Sequence, residues 1–457
     1  MFIKKLKSDN SLKNLNKYYL ARSSNLSGSI KVPGDKSISQ RALIVSLISS
    51  GTTIIEDILD SEDVYHTMKA IEKLGASLHI NKSCVEVMGV GLGNLVSPKT
   101  PVYMGNSGTG TRLLMGLVAG SNALVTFFGD SSLTERPMDR VLLPLEEMGA
   151  RIVSNTDKKL PITIIGARAK GLTLPINYKL SIPSAQIKSA VLLAALTARG
   201  TSFITEYKKS RNYTEKMLYK RGVVLKNKKI NKNKNIISIN GTSIIKSKNM
   251  KIPGDPSSAA FLVVAALITK KSVITLENVL YDKFRLGFID ILKKMGALID
   301  IVRMSNDTCK IIVKSSKLKN ISIESKSSSA LIDEYPILSI AASCSEGEMI
   351  MKGLGELRFK ESDRFRSIVE GLGNCGADVK SFKDNIIIRG RKKIKGGCRL
   401  DAKNDHRIAM SFNILSLISE EPILIKGNKS ILTSFPDFFK TMEELGAISL
   451  IYGKQNS

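Results

Sequence analysis

The residues with the clearest chemical potential open helices. In PGDKSISQR (Pro33 to Arg41), a Pro-Gly-Asp turn leads into Lys36, Ser37 and Arg41, followed by apolar Ile38, Ala42, Val45 and Ile48 at helical spacing. A helix start offers unpaired N–H groups and a positive dipole end to an anion. Two cations and a hydroxyl added there suit a multiply charged acidic ligand, although a capped helix with solvated charges has the same pattern. GNSGTGTR (Gly105 to Arg112) is a Gly-rich turn before a second helix, and it lets backbone approach a phosphate or carboxylate closely. Neither stretch ends in the GK[ST] of a nucleotide P-loop, which argues against a Walker ATPase.

Further along, ERPM holds Arg136 in a loop. PSAQ puts Ser184, Ala185 and Gln186 at a helix start, and SRNYTEKML carries Ser210, Arg211 and Tyr213. In the second half, LIDEYP sets Asp333 and Glu334 before an apolar helix. ELRFKESDRFR carries Lys360, Glu361 and Arg364, with Lys360 and Arg364 four apart and so expected on one helix face, and NDHRIAM offers Arg407. A surface ion pair, a cap or a solvated face explains each one singly. Together they describe a site for polyanionic small molecules, with arginines for bidentate contacts, lysines as point charges, and Asp333 and Glu361 for acid–base work.

The elements that must position these groups repeat six times. EKLGASLHI, EEMGARIVS, YKRGVVLKN, KKMGALIDI, GNCGADVKS and EELGAISLI each read as a helix end, a glycine cap and a strand. Their glycines, Gly75, Gly149, Gly222, Gly296, Gly376 and Gly446, lie 74, 73, 74, 80 and 70 residues apart. The helix starts above interleave with them, giving six α/β units. PGDKS at Pro33 and PGDPS at Pro253 are offset by 220 residues, close to three units, so the chain reads as two domains of three units with a crossover near Lys251.

Composition narrows the function. The 457 residues are 43% hydrophobic and 24% charged, as in a soluble globular protein, with no uninterrupted apolar run long enough to span a membrane. The N-terminus lacks a signal-peptide core and reads as a polar extension of a cytoplasmic protein. Five scattered cysteines without a CxxC, and three distant histidines, argue against a disulfide framework or a metal site. The net charge of +28 admits nucleic-acid binding, but its densest run, Lys226 to Asn235, has no aromatics to stack bases and reads as a solvated hairpin or loop.

PGDKSISQRAL, GNSGT-x-x-R, ERPM, PSAQIKSA, SRNYTEKML, LIDEYPILSIAAS, LRFKESDR and DHRIAM, in this order, make the chain resemble the 5-enolpyruvylshikimate-3-phosphate (EPSP) synthase family of enolpyruvyl transferases. The resemblance implies two similar domains, each of three βαβαββ repeats around a pseudo-threefold axis (an inside-out α/β barrel), with the active site in the interdomain cleft. It places residues 1–33 as an extension and strand joining the second domain, 34–251 as the first domain and 252–457 as the second. It further implies a monomer without cofactor or metal, acting on shikimate 3-phosphate and phosphoenolpyruvate in aromatic amino acid biosynthesis. No nucleic acid or membrane partner is implied.

By the same resemblance, Lys36, Ser37 and Arg41 contact shikimate 3-phosphate, and Lys36 also faces phosphoenolpyruvate. Ser184, Ala185, Gln186, Ser210 and Arg211 complete the shikimate-phosphate wall. Gly108, Arg136, Arg364 and Arg407 fall in the phosphoenolpyruvate set, and Asn106 is a further substrate-binding position. Asp333 corresponds to the proton acceptor for the 5-hydroxyl, Lys360 to a contact of the shikimate moiety, and Glu361 to the proton donor. Two positions depart from the better-known branch, Glu356 standing for an Asn and Thr433 for a Lys. The sister family acting on UDP-N-acetylglucosamine uses a mobile-loop cysteine, and no cysteine lies between GNSGT and ERPM here.

Overall fold

The computed structural model describes residues 15–81, 84–154, 157–231, 234–241 and 244–452; the polar extension read from the sequence falls largely on residues 1–14, outside them. The chain forms two compact units, Lys36–Ile252 and Met1–Asp35 together with Pro253–Ser457.

In Lys36–Ile252, three four-stranded sheets repeat one topology. Their strand orders are Met250–Lys251, Ser50–Glu56, Cys84–Val90, Ser77–Ile80; then Val102–Tyr103, Leu124–Phe128, Ile162–Ile165, Arg151–Ser154; then Asn177–Lys179, Thr201–Glu206, Lys234–Asn240, Leu225–Asn231. The first pair in each is parallel and the others antiparallel. With helix Gly108–Ala119 after its first strand, and the short helix Ser131–Thr134 and helix Asp139–Glu147 after its second, residues 102–165 trace the βαβαββ order. Apart from residues 232–233, which lie outside the described residues, the Lys/Asn-rich run falls on two antiparallel strands of the third sheet, the first of them exposed.

The other unit repeats this with strands borrowed from the N-terminus. Ser27–Lys31 pairs parallel with Val273–Leu280 and completes the sheet of Thr308–Lys314 and Leu298–Arg303. Ser322–Ile323, Glu348–Met351, Asn385–Arg389 and Asp378–Phe382 form the next sheet. The last repeat is in two pieces: Arg399–Asp401 pairs parallel with Leu424–Lys426, and Ser449–Ile451 pairs antiparallel with Tyr18–Leu20.

Each repeat has one inner and one outer helix. The inner ones are α1 (Lys36–Leu47), α2 (Gly108–Ala119), α3 (Ala185–Ala195), α4 (Pro256–Ile268), α5 (Tyr335–Ser343) and α6 (His406–Ser416). They are rich in Ala, Ser and Gly and buried nearly all round, as helices without a polar face must be. Small residues let them approach closely: a Cβ at Gly116 of α2 would stand 2.3 Å from the Ala190 carbonyl oxygen of α3.

The outer helices are amphipathic and end at the six repeat glycines. All six adopt positive φ, from 82° to 111°, which a side chain would oppose. At each, the glycine N–H bonds the carbonyl three residues back, and the following N–H bonds the carbonyl five back, as in Gly75 to Glu72 and Ala76 to Ile71, both 3.0 Å. This double closure satisfies the last carbonyls and turns the chain into the next strand.

Candidate active site

In Lys36–Ile252 the first turns of α1, α2 and α3 converge. Lys36 Nζ lies 3.0 Å from Asp63 Oδ2, both groups mostly buried. Gln40 of α1 donates to the hydroxyls of Thr67 and of Ser107, the residue that caps α2. Arg112 of α2 donates to Gln186 Oε1 at 2.8 Å, and Gln186 Nε2 returns a 2.8 Å bond to Thr109. Arg41 is buried, and its guanidinium donates to Thr214 Oγ1 at 3.0 Å, Ser189 Oγ at 3.4 Å and the Ser37 carbonyl at 3.0 Å. Ser37 and Arg211 are half-buried, and Ser184 caps α3 through the Ile187 N–H, directly before Ala185.

Arg136 is aimed by two partners. Its guanidinium donates to Asn106 Oδ1 and, at 3.2 Å, to Ser132 Oγ; Asn106 Nδ2 in turn donates to Asp130 at 2.8 Å. Gly108 opens α2 beneath it: a Cβ there would meet Arg136 Nη1 at 2.9 Å and Arg112 Nη1 at 3.1 Å. The missing side chain thus leaves room for two guanidinium groups at one helix N-terminus, a strong anion site in principle.

A buried triad supports this wall and was not read from the sequence. Lys188 Nζ sits 3.0 Å from Glu206 and 2.7 Å from Glu215. Glu206 Oε1 also accepts from the N–H and hydroxyl of Ser210, fixing the loop that leads to Arg211. Lys188 falls on an inner-helix face where periodicity predicts core, so only its charge within PSAQIKSA hinted at a role.

In the other unit the first turns of α4, α5 and α6 converge likewise. Asp333 precedes α5, and its Oδ1 lies 3.7 Å from Arg364 Nη1 and 3.9 Å from Arg407 Nε. Arg407 Nη1 also donates to the Asp333 carbonyl at 2.9 Å. Arg364 is wholly buried: Nε donates to Asp405 Oδ2 at 2.7 Å and Nη2 to Glu361 Oε2 at 2.5 Å. Burial opposes its charge, but Asp405, Glu361 and Asp333 outweigh that and hold it firmly protonated. Asp405 caps α6 through the Arg407 N–H at 2.9 Å, so one carboxylate orients both arginines.

Lys360 and Arg364 do not share a helix face, contrary to the spacing argument. Lys360 is extended, at φ −94° and ψ −150°, and the helix starts only at Arg364 because the Asp363 side chain caps it through the Arg366 N–H. Lys360 is pushed below the ordinary lysine value, first by burial and also by Arg364, while Asp333, Glu361 and Glu356 pull it back.

Among the described residues, no group of three or more His, Cys, Asp or Glu could hold a metal ion, and no helix is long and apolar enough to cross a membrane.

Two units of three α/β repeats, each gathering cations at inner-helix N-termini, with carboxylates beside the arginines in one, define an α/β enzyme class that handles small polyanions. Residues 20–442 match the family model described as EPSP synthase (3-phosphoshikimate 1-carboxyvinyltransferase), and the chain belongs to that family. It is 43% identical over 433 residues to the 3-phosphoshikimate 1-carboxyvinyltransferase of Chelativorans sp. (strain BNC1), covering 93% of this chain and 96% of that one. The Bartonella henselae protein of the same name is 42% identical, covering 93% and 97%. An EPSP synthase structure from Acinetobacter baumannii superposes with a TM-score of 0.81 at 37% identity, covering 95% of this chain and 99% of that one.

Proposed function

We propose that the chain transfers the enolpyruvyl group of phosphoenolpyruvate to the 5-hydroxyl of shikimate 3-phosphate and releases phosphate. The observation that carries this reading is the grouping of Asp333, Glu361, Arg364 and Arg407, two candidate proton carriers beside two oriented arginines, in a chain of the EPSP synthase family. Lys36, Ser37, Arg41, Ser184, Ala185, Gln186, Ser210 and Arg211 would bind shikimate 3-phosphate. Asn106, Gly108, Arg136, Arg364 and Arg407 would bind phosphoenolpyruvate, and Lys36 would neutralise charge on both.

Glu361 protonates the methylene carbon of phosphoenolpyruvate, and the neighbouring C2 gains positive character. Asp333 takes the 5-hydroxyl proton as that oxygen attacks C2, which gives a tetrahedral ketal phosphate. Loss of phosphate, with a proton leaving the methyl group, restores the enol ether. Arginines already bonded to Asp405 and Asn106 need little reorganisation as charge shifts on the phosphate and carboxylate.

Phosphate release from phosphoenolpyruvate tests the reading directly. It should require shikimate 3-phosphate and not occur with UDP-N-acetylglucosamine; no release with shikimate 3-phosphate would refute it.

Two further expectations follow from the geometry. Gly108→Ala crowds the mobile ends of Arg136 and Arg112 rather than backbone, so the variant should fold normally. Its KM for phosphoenolpyruvate should rise by about tenfold, roughly 1.4 kcal/mol, with little change for shikimate 3-phosphate. Lys360 carries its positive charge only while protonated, and burial depresses its pKa from 10.5. Rising pH should therefore reduce kcat/KM below that ordinary value. In Lys360→Arg this alkaline limb should vanish, whatever activity remains, as a pH–rate profile will record.

A further inference from the structure

Arg285 lies outside every motif singled out in the sequence, yet it joins two of them. The turns Pro33-Gly34-Asp35 and Pro253-Gly254-Asp255, equivalent in the repeat, pair antiparallel through Gly34 and Gly254. The Asp35 N–H bonds the Pro253 carbonyl and the Asp255 N–H bonds the Pro33 carbonyl, both at 2.8 Å. Arg285, almost fully buried, straddles the pair: Nη1 donates to Asp35 Oδ2 and Nη2 to Asp255 Oδ1, each at 2.6 Å. Nη2 also donates to Ser257 Oγ at 3.1 Å, and Ser257 passes a 2.5 Å hydrogen bond to Glu334 Oε1.

Both ends of this network stop one residue short of a proposed catalytic group. Asp35 is bonded covalently to Lys36, and Glu334 to Asp333. We propose that Arg285 is a positioning residue for the transfer reaction, holding the backbone that presents Lys36 at one fork and, through Ser257 and Glu334, the backbone that presents Asp333 at the other. The inference rests on the functional reading above for those two roles. Arg285 suits the task because a planar guanidinium fixes two carboxylates in one geometry, which an ammonium cannot do. Burial pushes the Glu334 carboxyl up, and Asp333 adds to this, while Arg407, Arg285 and the Ser257 hydroxyl pull it down. The electrostatic influence of Arg285 thus already reaches the neighbour of the proposed base.

A purely structural ion pair would affect stability alone, so the test separates the two roles in the full-length protein. Arg285→Lys keeps the charge but loses the fork, and Ser257→Ala removes one hydroxyl, a change mild enough to fold even if the first does not. Each should lower kcat, Arg285→Lys by about tenfold or more and Ser257→Ala by about threefold, with both KM values within about threefold of wild type. Because both act through one chain of contacts, the double variant should be no slower than Arg285→Lys alone. Wild-type kcat in both single variants, losses that multiply in the double, or a loss confined to KM would overturn the proposal. Amide exchange measured without substrate gives a readout independent of turnover. Peptides spanning residues 333–338 should exchange faster in both variants and those spanning 33–36 in Arg285→Lys, and unchanged exchange there would overturn the proposal even if the activity assigned to the chain were wrong.

Discussion

Replacing Asp333 with alanine is expected to lower kcat by about a thousandfold while leaving the protein folded. A positioned general base contributes about 10²–10⁴ in rate, and Asp333 is proposed to remove the proton whose loss lets the 5-oxygen attack. Its carboxylate lies 3.7 Å from Arg364 and 3.9 Å from Arg407, too long for direct hydrogen bonds to those groups, so both hold it by charge rather than by tight contact. It is also 21% exposed, within reach of a ligand. The backbone contribution of Asp333, its carbonyl bond from Arg407, survives the substitution. Melting should therefore shift by only a few degrees while turnover with both substrates falls away. A rate within tenfold of wild type would show that another group takes the proton. Lys36→Ala should lose turnover similarly, because the ammonium that would neutralise both substrates is gone, but it also leaves the buried Asp63 carboxylate without the cation 3.0 Å away, so its melting temperature should fall further than that of Asp333→Ala.

The second large effect is expected at Arg364. It is wholly buried and faces three carboxylates, Asp405 at 2.7 Å, Glu361 at 2.5 Å and Asp333 at 3.7 Å. Arg364→Ala leaves Asp405, itself fully buried, without its strongest cation. Breaking a buried pair in this way costs about 3–5 kcal/mol, which corresponds to a fall in melting temperature on the order of 10 °C for a unit of this size. Activity should be lost as well, since a guanidinium proposed to bind phosphoenolpyruvate is gone and Glu361 and Asp333 lose the cation beside them. Arg364→Lys separates stability from chemistry. It keeps a positive charge and much of the stability, but one ammonium cannot reach Asp405 and Glu361 with the geometry of a guanidinium. At least a hundredfold loss of kcat/KM for phosphoenolpyruvate is expected. A Lys variant of near-normal activity would show that the site needs only a charge there.

The repeat architecture was legible because its signals are local. Each repeat glycine follows a helix end and takes a positive φ, and its backbone bonds span only five residues. Helix starts such as those capped by Ser107, Ser184 and Asp405 were legible for the same reason, since these side chains bond nearby N–H groups. The error at Lys360 came from counting residues without seeing that Asp363 delays the helix. Tyr18–Leu20 escaped notice because a three-residue strand in a Lys/Asn-rich leader has no periodicity; its partner, Ser449–Ile451, lies more than 400 residues away. Arg285, Glu206 and Asp63 were invisible for the same physical reason. A lone charged residue looks solvated until the fold buries it opposite its counter-charge, and that pairing is set by tertiary contacts.

The borrowed strands also bear on the order in which the protein can assemble. Tyr18–Leu20 and Ser27–Lys31 leave the ribosome well before their sheet partners, Ser449–Ile451 and Val273–Leu280. All three sheets of Lys36–Ile252 draw their strands from within that span, so its contacts are available once residue 252 has emerged. Each of these strands must wait unpaired until its own partner emerges, Ser27–Lys31 for Val273–Leu280 and Tyr18–Leu20 for Ser449–Ile451, when the costlier long-range closures become possible. These strands are thus made early and placed late, and during that wait their exposed edges are open to wrong partners.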